Sequence, residues 1–515
     1  MALPQGETRP VEREIRTLAR GSLISLCGKL LTKGARVVGG PVMARLLGVD
    51  GYGLYCLVDT SINFAMLVLG APLSLGTVRL VAVHDGAGED DRAAGTVVFG
   101  GVVSLLAGVL AALAMTLGGA RLVAEDLLHH PAVAPMLEVS FWALPLLLLG
   151  TNLASGCLGK RTVVYQEMAE FSMRVGALVG GVALVLALAR TSPPSERAFW
   201  ACAGVLFGGL AAVLVGLLGM RRCFPRVRLG SWRMCNVAGL VGVALPFVII
   251  LVSEFGVGRV NVFLTGLWLS TQDVAVYGAV VAVTFVDSLG LSVVGGILQP
   301  TIADLYERGE MEKLQSVFYT ATRWVSHLTL PLIVFCMFKA HSILGVFGPS
   351  FVVGTLALQI AYVGQAVNAS AGHTRCVLGM ARGQWVLAVT HSVAMFSNLA
   401  LCYLLVRVHG LGLVGFAVSS SISVALSALL PMVAIRCQHG LRTYCWRSAK
   451  PVAAAVLAAP VLLWYPGGIW VDLAAGFVLY LAAYVAVSLA LGLEPEDQML
   501  LQRVAARFRK PSATA

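Results

Sequence analysis

The sequence predicts an all-α polytopic membrane protein with about 14 transmembrane helices. Of its 515 residues, 58% are hydrophobic and only 12% are charged, and the mean hydropathy is +0.84. A soluble domain of this size would need far more charged surface. Apolar stretches of about 20 residues, each long enough to cross a bilayer, follow one another along the chain with short connections between them.

The candidate spans begin after a charged N-terminal arm, residues 1–20, which has no signal-peptidase cleavage pattern, so the first span is retained. Boundaries read from hydropathy are accurate to several residues. The predicted spans are 21–44, 52–78, 94–118, 132–158, 163–189, 198–220, 236–262, 274–300, 315–338, 351–374, 384–407, 412–435, 450–465 and 469–492.

The basic residues predict the topology. Most of the 37 lysines and arginines lie in the N-terminal arm, the C-terminal tail and every second loop, with the largest cluster in 221–235. The positive-inside rule therefore places both termini in the cytoplasm. Because the net charge of +11 comes from these short loop clusters, it indicates topology and gives no reason to expect a nucleic-acid partner.

An internal repeat divides the predicted helices into two halves. LGVDGYGLY (47–55) corresponds to LSTQDVAVYGAV (269–280), so Tyr52-Gly53 matches Tyr277-Gly278. Two weaker matches occur at the same offset, and six spans per repeat give both halves the same orientation, with a central cavity expected between them. The predicted organisation is an N-terminal arm (1–20), an N-lobe (21–220), a basic linker (221–235), a C-lobe (236–436), two further helices (437–492) and a cytoplasmic tail (493–515).

The first span carries three cations, Lys29, Lys33 and Arg36, spaced four and three residues apart on one helical face. Lys33 lies about 18 Å along a helix that begins near Gly21, close to the bilayer midplane. A charge there costs roughly 2.5–3.5 kcal/mol, and snorkelling cannot rescue Lys33. The cations either pair with acids inside a packed bundle or line a hydrated cavity that attracts an anion.

Further charged residues lie inside later spans. Arg174 follows Glu167 and Glu170 at helical spacing in the fifth span, where Glu170 and Arg174 form either a cavity face or a simple i, i+4 pair. Arg323 and His327 share a face of the ninth span. We expect them to add cations opposite the first span if the two halves pack face to face.

Glu254 and Asp287 are isolated carboxylates deep in apolar sequence. Together with Glu170 they are candidates for ion coupling, because burial favours the protonated form of a carboxyl group. Arg259 is expected near the periplasmic end of its span, where it can snorkel. Asp59 and Asn63 share a helical face that is equally compatible with a helix–helix hydrogen bond.

Enzyme signatures are missing from the sequence. It contains neither a GxxxxGK[ST] nucleotide loop nor an HExxH zinc motif. We therefore predict no cofactor, no metal and no catalytic residue, and we interpret His391 as a packing residue. One polar loop cluster, interpreted as a solvated connection, consists of Arg121, Glu125, Asp126, His129 and His130.

The order of these segments resembles a known family. The residues that carry the resemblance are ARLLGVDGYGLYCLV (44–58), ILGVFGPSFVVGTLALQIAYVGQAVNA (343–369), LGMARGQW (378–385) and VRVHGLGLVGFAVSSSISVAL (406–426). The chain is similar to the oligosaccharide-lipid (O-antigen type) flippases, the polysaccharide biosynthesis exporters of the multidrug/oligosaccharidyl-lipid/polysaccharide (MOP) superfamily. The similarity extends from about residue 20 to the tail segment 494–510.

This resemblance implies a two-lobed, V-shaped transporter in the bacterial cytoplasmic (inner) membrane. Such a protein moves undecaprenyl-pyrophosphate-linked oligosaccharide from the cytoplasmic to the periplasmic leaflet by alternating access, for surface polysaccharide biosynthesis. Its expected partners are the lipid-linked oligosaccharide, the bilayer, and a polysaccharide polymerase and glycosyltransferases. The pyrophosphate and glycan are expected to contact the six cationic residues of the first, fifth and ninth spans, namely Lys29, Lys33, Arg36, Arg174, Arg323 and His327.

Two alternative functions remain at this stage. A drug or cation antiporter of the same superfamily favours an acidic cavity, and the cations of the first span have the opposite sign. A membrane-embedded glycosyltransferase or polymerase is expected to present acidic catalytic residues in a sizeable extracytoplasmic loop, and the predicted loops are short.

Overall fold

A computed structural model describes residues 8–225, 245–284, 301–302, 304–381, 383–444, 446–464 and 467–492, together with residues 291, 295, 298 and 494. Side chains in these ranges are described from residue 25 onward, except at positions 26, 245, 246, 446 and 447. These ranges form helices joined by short turns, as the apolar composition predicts, because a helix satisfies its own backbone hydrogen bonds in lipid.

The first half of the chain forms helices α1 to α8, and two of the junctions between them contain short π-helical turns, Met66–Gly70 and Met115–Gly119. The bounds are α1 (Thr8–Ala65), α2 (Ala71–Gly86), α3 (Asp90–Ala114), α4 (Ala134–Phe141), α5 (Leu144–Gly159), α6 (Val163–Leu188), α7 (Pro194–Ala203) and α8 (Val205–Cys223).

The described residues from 245 onward include helices α9 to α19, of which the last two correspond to the C-terminal spans predicted beyond the repeat. The bounds are α9 (Leu245–Gly258), α10 (Val260–Trp268), α11 (Thr271–Thr284), α12 (Met311–Phe338), α13 (Ala340–Phe347), α14 (Thr355–Ser370), α15 (Thr374–Met380), α16 (Gln384–Cys402), α17 (Gly412–His439), α18 (Lys450–Ala458) and α19 (Ile469–Ala490).

The all-α polytopic prediction is confirmed, although the exact number of spans is not fixed. Within the described ranges, nine helices are long and apolar enough to cross a membrane, or up to 11 if each of two bent pairs is one span. The stretch Cys27–Gly86 has 60 residues, a length of about three bilayer cores, so it can hold two predicted spans. It breaks at Gly48, whose φ of 74° is non-helical. The predicted span 274–300 extends into residues outside the described ranges.

Small residues bring the helices of the first half close together. Helix α6 packs on α8, and α5 packs on both α8 and α3. A Cβ atom at Gly176 would lie 3.1 Å from the Cα of Gly208, and a Cβ atom at Gly150 would lie 2.7 Å from the backbone of Ala212. Lipid tails are as apolar as leucine side chains, so burial of apolar surface does not drive membrane helices together. Small residues promote their association instead, because they allow the backbones to pack closely.

The two repeated Tyr-Gly pairs meet where the halves join. The part of α1 after Gly48 packs on α11. A Cβ atom at Gly278 would lie 2.6 Å from the Sγ of Cys56, and Gly53 is packed equally tightly against the backbone of Thr271. The repeat found in the sequence thus supplies glycines on both sides of the contact between the halves, which we call the seam.

The C-terminal helices pack on the second half. Helix α18 contacts α12, and α19 contacts α13. Lys339, between α12 and α13, forms an ion pair with Asp472 of α19, with 2.5 Å between Nζ and Oδ1. The division at 21–220, 221–235, 236–436 and 437–492 stays a prediction, and most of the predicted linker lies outside the described residues.

Candidate substrate-binding cavity

A partly open cavity with a volume of about 180 Å³ lies beside the seam. Its lining comes from both halves: α1, α5, α6 and α8 on one side, and the α9–α10 junction, α10 and α11 on the other. The cavity is therefore placed where a change in the relative orientation of the halves would alter its shape.

Three guanidinium groups line this cavity. Arg36 comes from α1, Arg174 from α6 and Arg259 from the junction between α9 and α10. Asp59, from the second part of α1, is the only carboxylate among the described lining residues. The lining thus has an excess of two positive charges, which in a low-dielectric surrounding attracts an anion much more strongly than in water.

Helix geometry explains how one long element supplies both signs of charge. Arg36 and Asp59 lie on the two sides of the Gly48 break, which allows the parts of α1 to face the same space. Asn63 donates a hydrogen bond of 2.6 Å from Nδ2 to the backbone carbonyl of Asp59. The carboxylate of Asp59 is not used in that bond and stays available to the cavity.

Aromatic contacts surround Tyr52, a residue of the cavity lining. Tyr52 and Tyr55 stack with ring centroids 6.2 Å apart, and Tyr52 also packs edge-on against Phe351 at 5.8 Å. Arg45 donates a hydrogen bond of 2.7 Å from Nε to the carbonyl oxygen of Val346. These contacts join the Gly48 region of the first half to α13 and the turn after it in the second half.

The structure brings Arg36 and Arg174 of the predicted cations together. Lys29 and Lys33, which precede Arg36 by two turns and one turn, are not part of the cavity lining. Both are half-buried on α1. The predicted cationic face is therefore continuous with the cavity at Arg36 and extends away from it along the helix.

The acidic residues of α6 are arranged differently from the simple ion pair considered above. Glu167 is buried and accepts a hydrogen bond of 2.6 Å from the Oγ of Ser25. Glu170 accepts a hydrogen bond of 3.3 Å from the Nε2 of Gln166. Within the described part of α6, no ion pair joins Glu170 to Arg174, whose guanidinium faces the cavity.

Arg323 and His327 are placed elsewhere, and neither lines the cavity. Arg323 is buried inside the second half. His327 forms a hydrogen bond of 2.7 Å between Nδ1 and the Oη of Tyr484 on α19. His327 is therefore directed toward α19, one of the C-terminal helices that pack on α12.

Of the other predicted residues, Glu254 is not an isolated carboxylate, since Arg375 donates a hydrogen bond of 3.2 Å from Nη1 to its Oε1. Asp287 lies outside the described residues. Among the residues with described positions, no group of three or more His, Cys, Asp or Glu side chains could hold a metal ion.

Sequence reasoning missed the position of Arg259. The predicted span 236–262 put this residue near a membrane surface. The bent helix pair Phe247–Gly258 and Val260–Trp268, with an angle of 47°, extends further along the chain, so Arg259 lies near its middle. The segment GVGR (256–259) contains two glycines and an arginine, and these helix-weakening residues were the sequence signal for the break.

Known structures share this architecture. An inward-facing multidrug transporter of the MATE family aligns with a TM-score of 0.69 and 14% identity over 81% of this chain and 98% of that chain. The lipid II flippase MurJ, in an inward closed conformation, has a TM-score of 0.69 and 11% identity over 90% and 98%. A MOP-superfamily transporter from Pyrococcus furiosus, described as having a pocket of reversed polarity, has a TM-score of 0.57 and 17% identity over 82% and 95%.

The fold therefore defines a multi-pass membrane protein with the architecture of the MOP superfamily. No curated protein sequence matches the chain. The sequence pattern of the family described as "Polysaccharide biosynthesis protein" matches residues 42–353, which is more than half of the chain. The chain belongs to this family of polysaccharide biosynthesis proteins.

Proposed function

We propose that this protein is a flippase that moves undecaprenyl-pyrophosphate-linked oligosaccharide from the cytoplasmic to the periplasmic leaflet of the bacterial inner membrane. The convergence of Arg36, Arg174 and Arg259 in one cavity carries the proposal. Guanidinium groups bind phosphate oxygens in a bidentate manner and stay ionised in every relevant condition. Their excess of two positive charges over Asp59 matches the two negative charges of a pyrophosphate diester.

The chemistry of such a substrate explains why a cavity of this type is sufficient. The polyprenyl tail is already in lipid, so the barrier to transfer is the passage of the diphosphate and the hydrated glycan through hydrocarbon. A polar cavity between two membrane-embedded halves lowers that barrier while the tail stays outside. No covalent step is required, and we propose a transporter and not an enzyme.

Alternating access is the proposed mechanism. With the predicted topology, N-terminus and C-terminus inside, the end of the cavity at Tyr52 and Arg45 faces the periplasm. The ring contacts and the Arg45 hydrogen bond support a state that is closed on that side. Release to the periplasmic leaflet would require the halves to separate there. A polysaccharide polymerase would then use the product, and glycosyltransferases would supply the substrate on the cytoplasmic side.

Coupling to an ion gradient would require a carboxylate near the cavity. Glu170 lies one helical turn from Arg174 on α6, and we propose it as the coupling residue among the predicted candidates. A Glu170→Gln variant should then transport at a rate that no longer varies with an imposed pH gradient. An unchanged response to the gradient would exclude Glu170 from coupling.

Reconstitution into liposomes tests the proposed function. Undecaprenyl-pyrophosphate-linked oligosaccharide placed in one leaflet should move to the other, and Arg36→Ala, Arg174→Ala and Arg259→Ala should each slow this movement about tenfold or more, because a charge-assisted hydrogen bond contributes about 1.5–3 kcal/mol. A matched control is Arg308→Ala, which removes an exposed guanidinium paired with Asp304. Wild-type rates in all three cavity variants, at equal protein levels, would refute the proposal.

A further inference from the structure

A second charged cluster lies in the second half, outside the arginine cavity. Arg375 of α15 donates from Nη1 to the Oε1 of Glu254 on α9 at 3.2 Å, and from Nη2 to the Oδ1 of Asn368 on α14 at 3.5 Å. The Nε2 of His391 on α16 is 3.8 Å from the same Glu254 oxygen. Four helices thus contribute one carboxylate, one guanidinium, one amide and one imidazole to a single site, which we call the Glu254 cluster.

His391 has an unused hydrogen-bonding atom that is aimed at this cluster. Its side chain is 1% exposed, and its Nδ1 lies 3.0 Å from the carbonyl oxygen of Leu387. A neutral imidazole that donates through Nδ1 has a lone pair on Nε2 that can only accept. Within the described part of the chain this Nε2 has no hydrogen-bond partner, and a buried polar atom left in that state is unfavourable. A ligand hydroxyl would satisfy it.

The other groups of the Glu254 cluster are accessible to a ligand. The side chain of Glu254 is 44% exposed and that of Arg375 is 32% exposed. A carboxylate exposed to acyl chains would be strongly unfavourable, so this surface must face water or a polar ligand. The neighbouring helices are held in place by the contact between the hydroxyls of Ser253 and Ser392, 3.1 Å apart.

The Glu254 cluster is adjacent to the arginine cavity. Phe255 contacts Phe64 of the first half with ring centroids 5.1 Å apart, and α9 packs on α2, so this part of α9 lies at the boundary between the halves. Phe64 directly follows Asn63, a residue of the cavity lining, and Phe255 directly follows Glu254. The Glu254 cluster and the cavity lining therefore approach each other at this boundary.

We infer that the Glu254 cluster is a glycan subsite, which binds the sugar attached directly to the pyrophosphate. A sugar offers vicinal hydroxyls that donate to a carboxylate and to an imidazole lone pair, and accept from a guanidinium. The cluster contains all three kinds of partner, whereas a site for a second anion would lack the carboxylate. This inference rests on the proposed function, because the pyrophosphate at the arginines sets the position of the sugar.

Binding to two lipids tests the inference. The probes are undecaprenyl pyrophosphate and the same lipid carrying one N-acetylglucosamine, each titrated into the full chain in lipid nanodiscs. Wild-type protein should bind the sugar-bearing lipid more tightly. Glu254→Gln and Arg375→Ala should weaken binding of the sugar-bearing lipid about tenfold, the effect of losing a hydrogen bond to a charged group, and leave the bare lipid unchanged. Glu312→Gln, an exposed change on α12, is the matched control.

The outcomes separate the subsite from the proposed function. If wild-type protein binds both lipids equally, or if Glu254→Gln weakens both lipids to the same extent, the subsite is refuted. A Glu254→Gln variant that binds normally but transports with an altered pH dependence would assign Glu254 to ion coupling, and would also refute the subsite. If Arg36→Ala affects neither lipid, the pyrophosphate site fails independently. Glu254→Asp, which keeps the carboxylate, should restore part of the sugar-dependent affinity in a correctly folded protein.

Discussion

Two groups of buried charge in this protein are organised in opposite ways. Lys339 and Asp472 form a closed pair, with side chains 5% and 1% exposed. The Nζ of Lys339 also donates to the carbonyl of Trp464 at 2.9 Å, and Ser342 donates to the second oxygen of Asp472 at 2.6 Å. The arginine cavity instead brings together three cations and one carboxylate around open space.

The difference separates a charge-balanced contact within the fold from a cavity lining with a net positive charge. At Lys339 and Asp472 the charges cancel and the hydrogen bonds are made within the protein, as a permanent contact between α19 and the second half requires. The arginine cavity combines three guanidinium groups with one carboxylate among its described lining residues. We therefore expect substitutions to act mainly on stability at the closed pair and mainly on anion binding at the cavity.

The largest expected effect is on stability, at the closed pair. Lys339→Met leaves Asp472 buried without its cation, and breaking a buried ion pair destabilises a protein by about 3–5 kcal/mol. We expect a large decrease in the thermal unfolding temperature in detergent and a loss of α19 docking. The double variant Lys339→Met/Asp472→Leu should recover much of the loss. A single variant as stable as the wild type would contradict a structural role.

A smaller effect is expected in the cavity, and on transport instead of stability. Arg259→Glu changes the charge of the lining from an excess of two to zero, and should reduce transport of the lipid-linked oligosaccharide about 100-fold through loss of attraction and of a bidentate donor. Arg259→Lys should retain part of the rate. The unfolding temperature, measured in parallel, should change much less than in Lys339→Met; a comparable decrease would remove the distinction between the two regions.

Neutralising Asp59, the carboxylate of the cavity lining, should strengthen the binding of an anion, whereas Arg259→Glu should weaken it. Asp59→Asn raises the positive excess from two to three, so undecaprenyl pyrophosphate should bind about fivefold more tightly at low salt, with a smaller gain at high salt because of screening. Release should slow, and transport should decrease although affinity rises. Weaker binding in Asp59→Asn would show that Asp59 positions the arginines and does not compete with the ligand.

The smallest effect on stability is expected at Glu89, an exposed carboxylate outside the membrane-spanning helices. Arg92 and His84 form hydrogen bonds to Glu89 of 2.7 and 3.1 Å, which lower the pKa of that exposed carboxyl. A lowered pKa stabilises the fold above the unfolded value of about 4.3, and this contribution is lost as the pH falls through the folded pKa. Glu89→Gln should therefore unfold at a slightly lower temperature than the wild type at pH 7, and the difference should disappear once the pH has fallen below the folded pKa of Glu89, in paired melting curves.

The sequence was sufficient for the parts of this description that depend on hydropathy and periodicity. It predicted an all-α membrane protein, and it related the two Tyr-Gly pairs whose glycines lie at the seam. It could not place residues whose environment depends on a helix break. Arg259 was assigned to a membrane surface because the bend after Gly258 is not visible in hydropathy, and His327 was expected opposite α1 although it contacts Tyr484 of α19.

The Glu254 cluster shows the same limit. Glu254, Arg375 and His391 are separated by more than 100 residues from first to last, and no local pattern relates them. Only the packing of α9 against α16, and the position of α15 after α14, brings them within hydrogen-bonding distance. Charged residues that find partners across a fold are visible to sequence reasoning only as isolated charges.

The glycines at the seam have one more consequence. At Gly53 and Gly278 the two halves touch through backbone and small side chains, so at these two positions little side-chain volume opposes a rotation of one half against the other. A carrier that must return empty after each cycle needs conformations that differ by only a few kcal/mol. A larger residue at position 53 or 278 would clash with the facing half. It would therefore favour one orientation of the halves and lower the rate of the transport cycle.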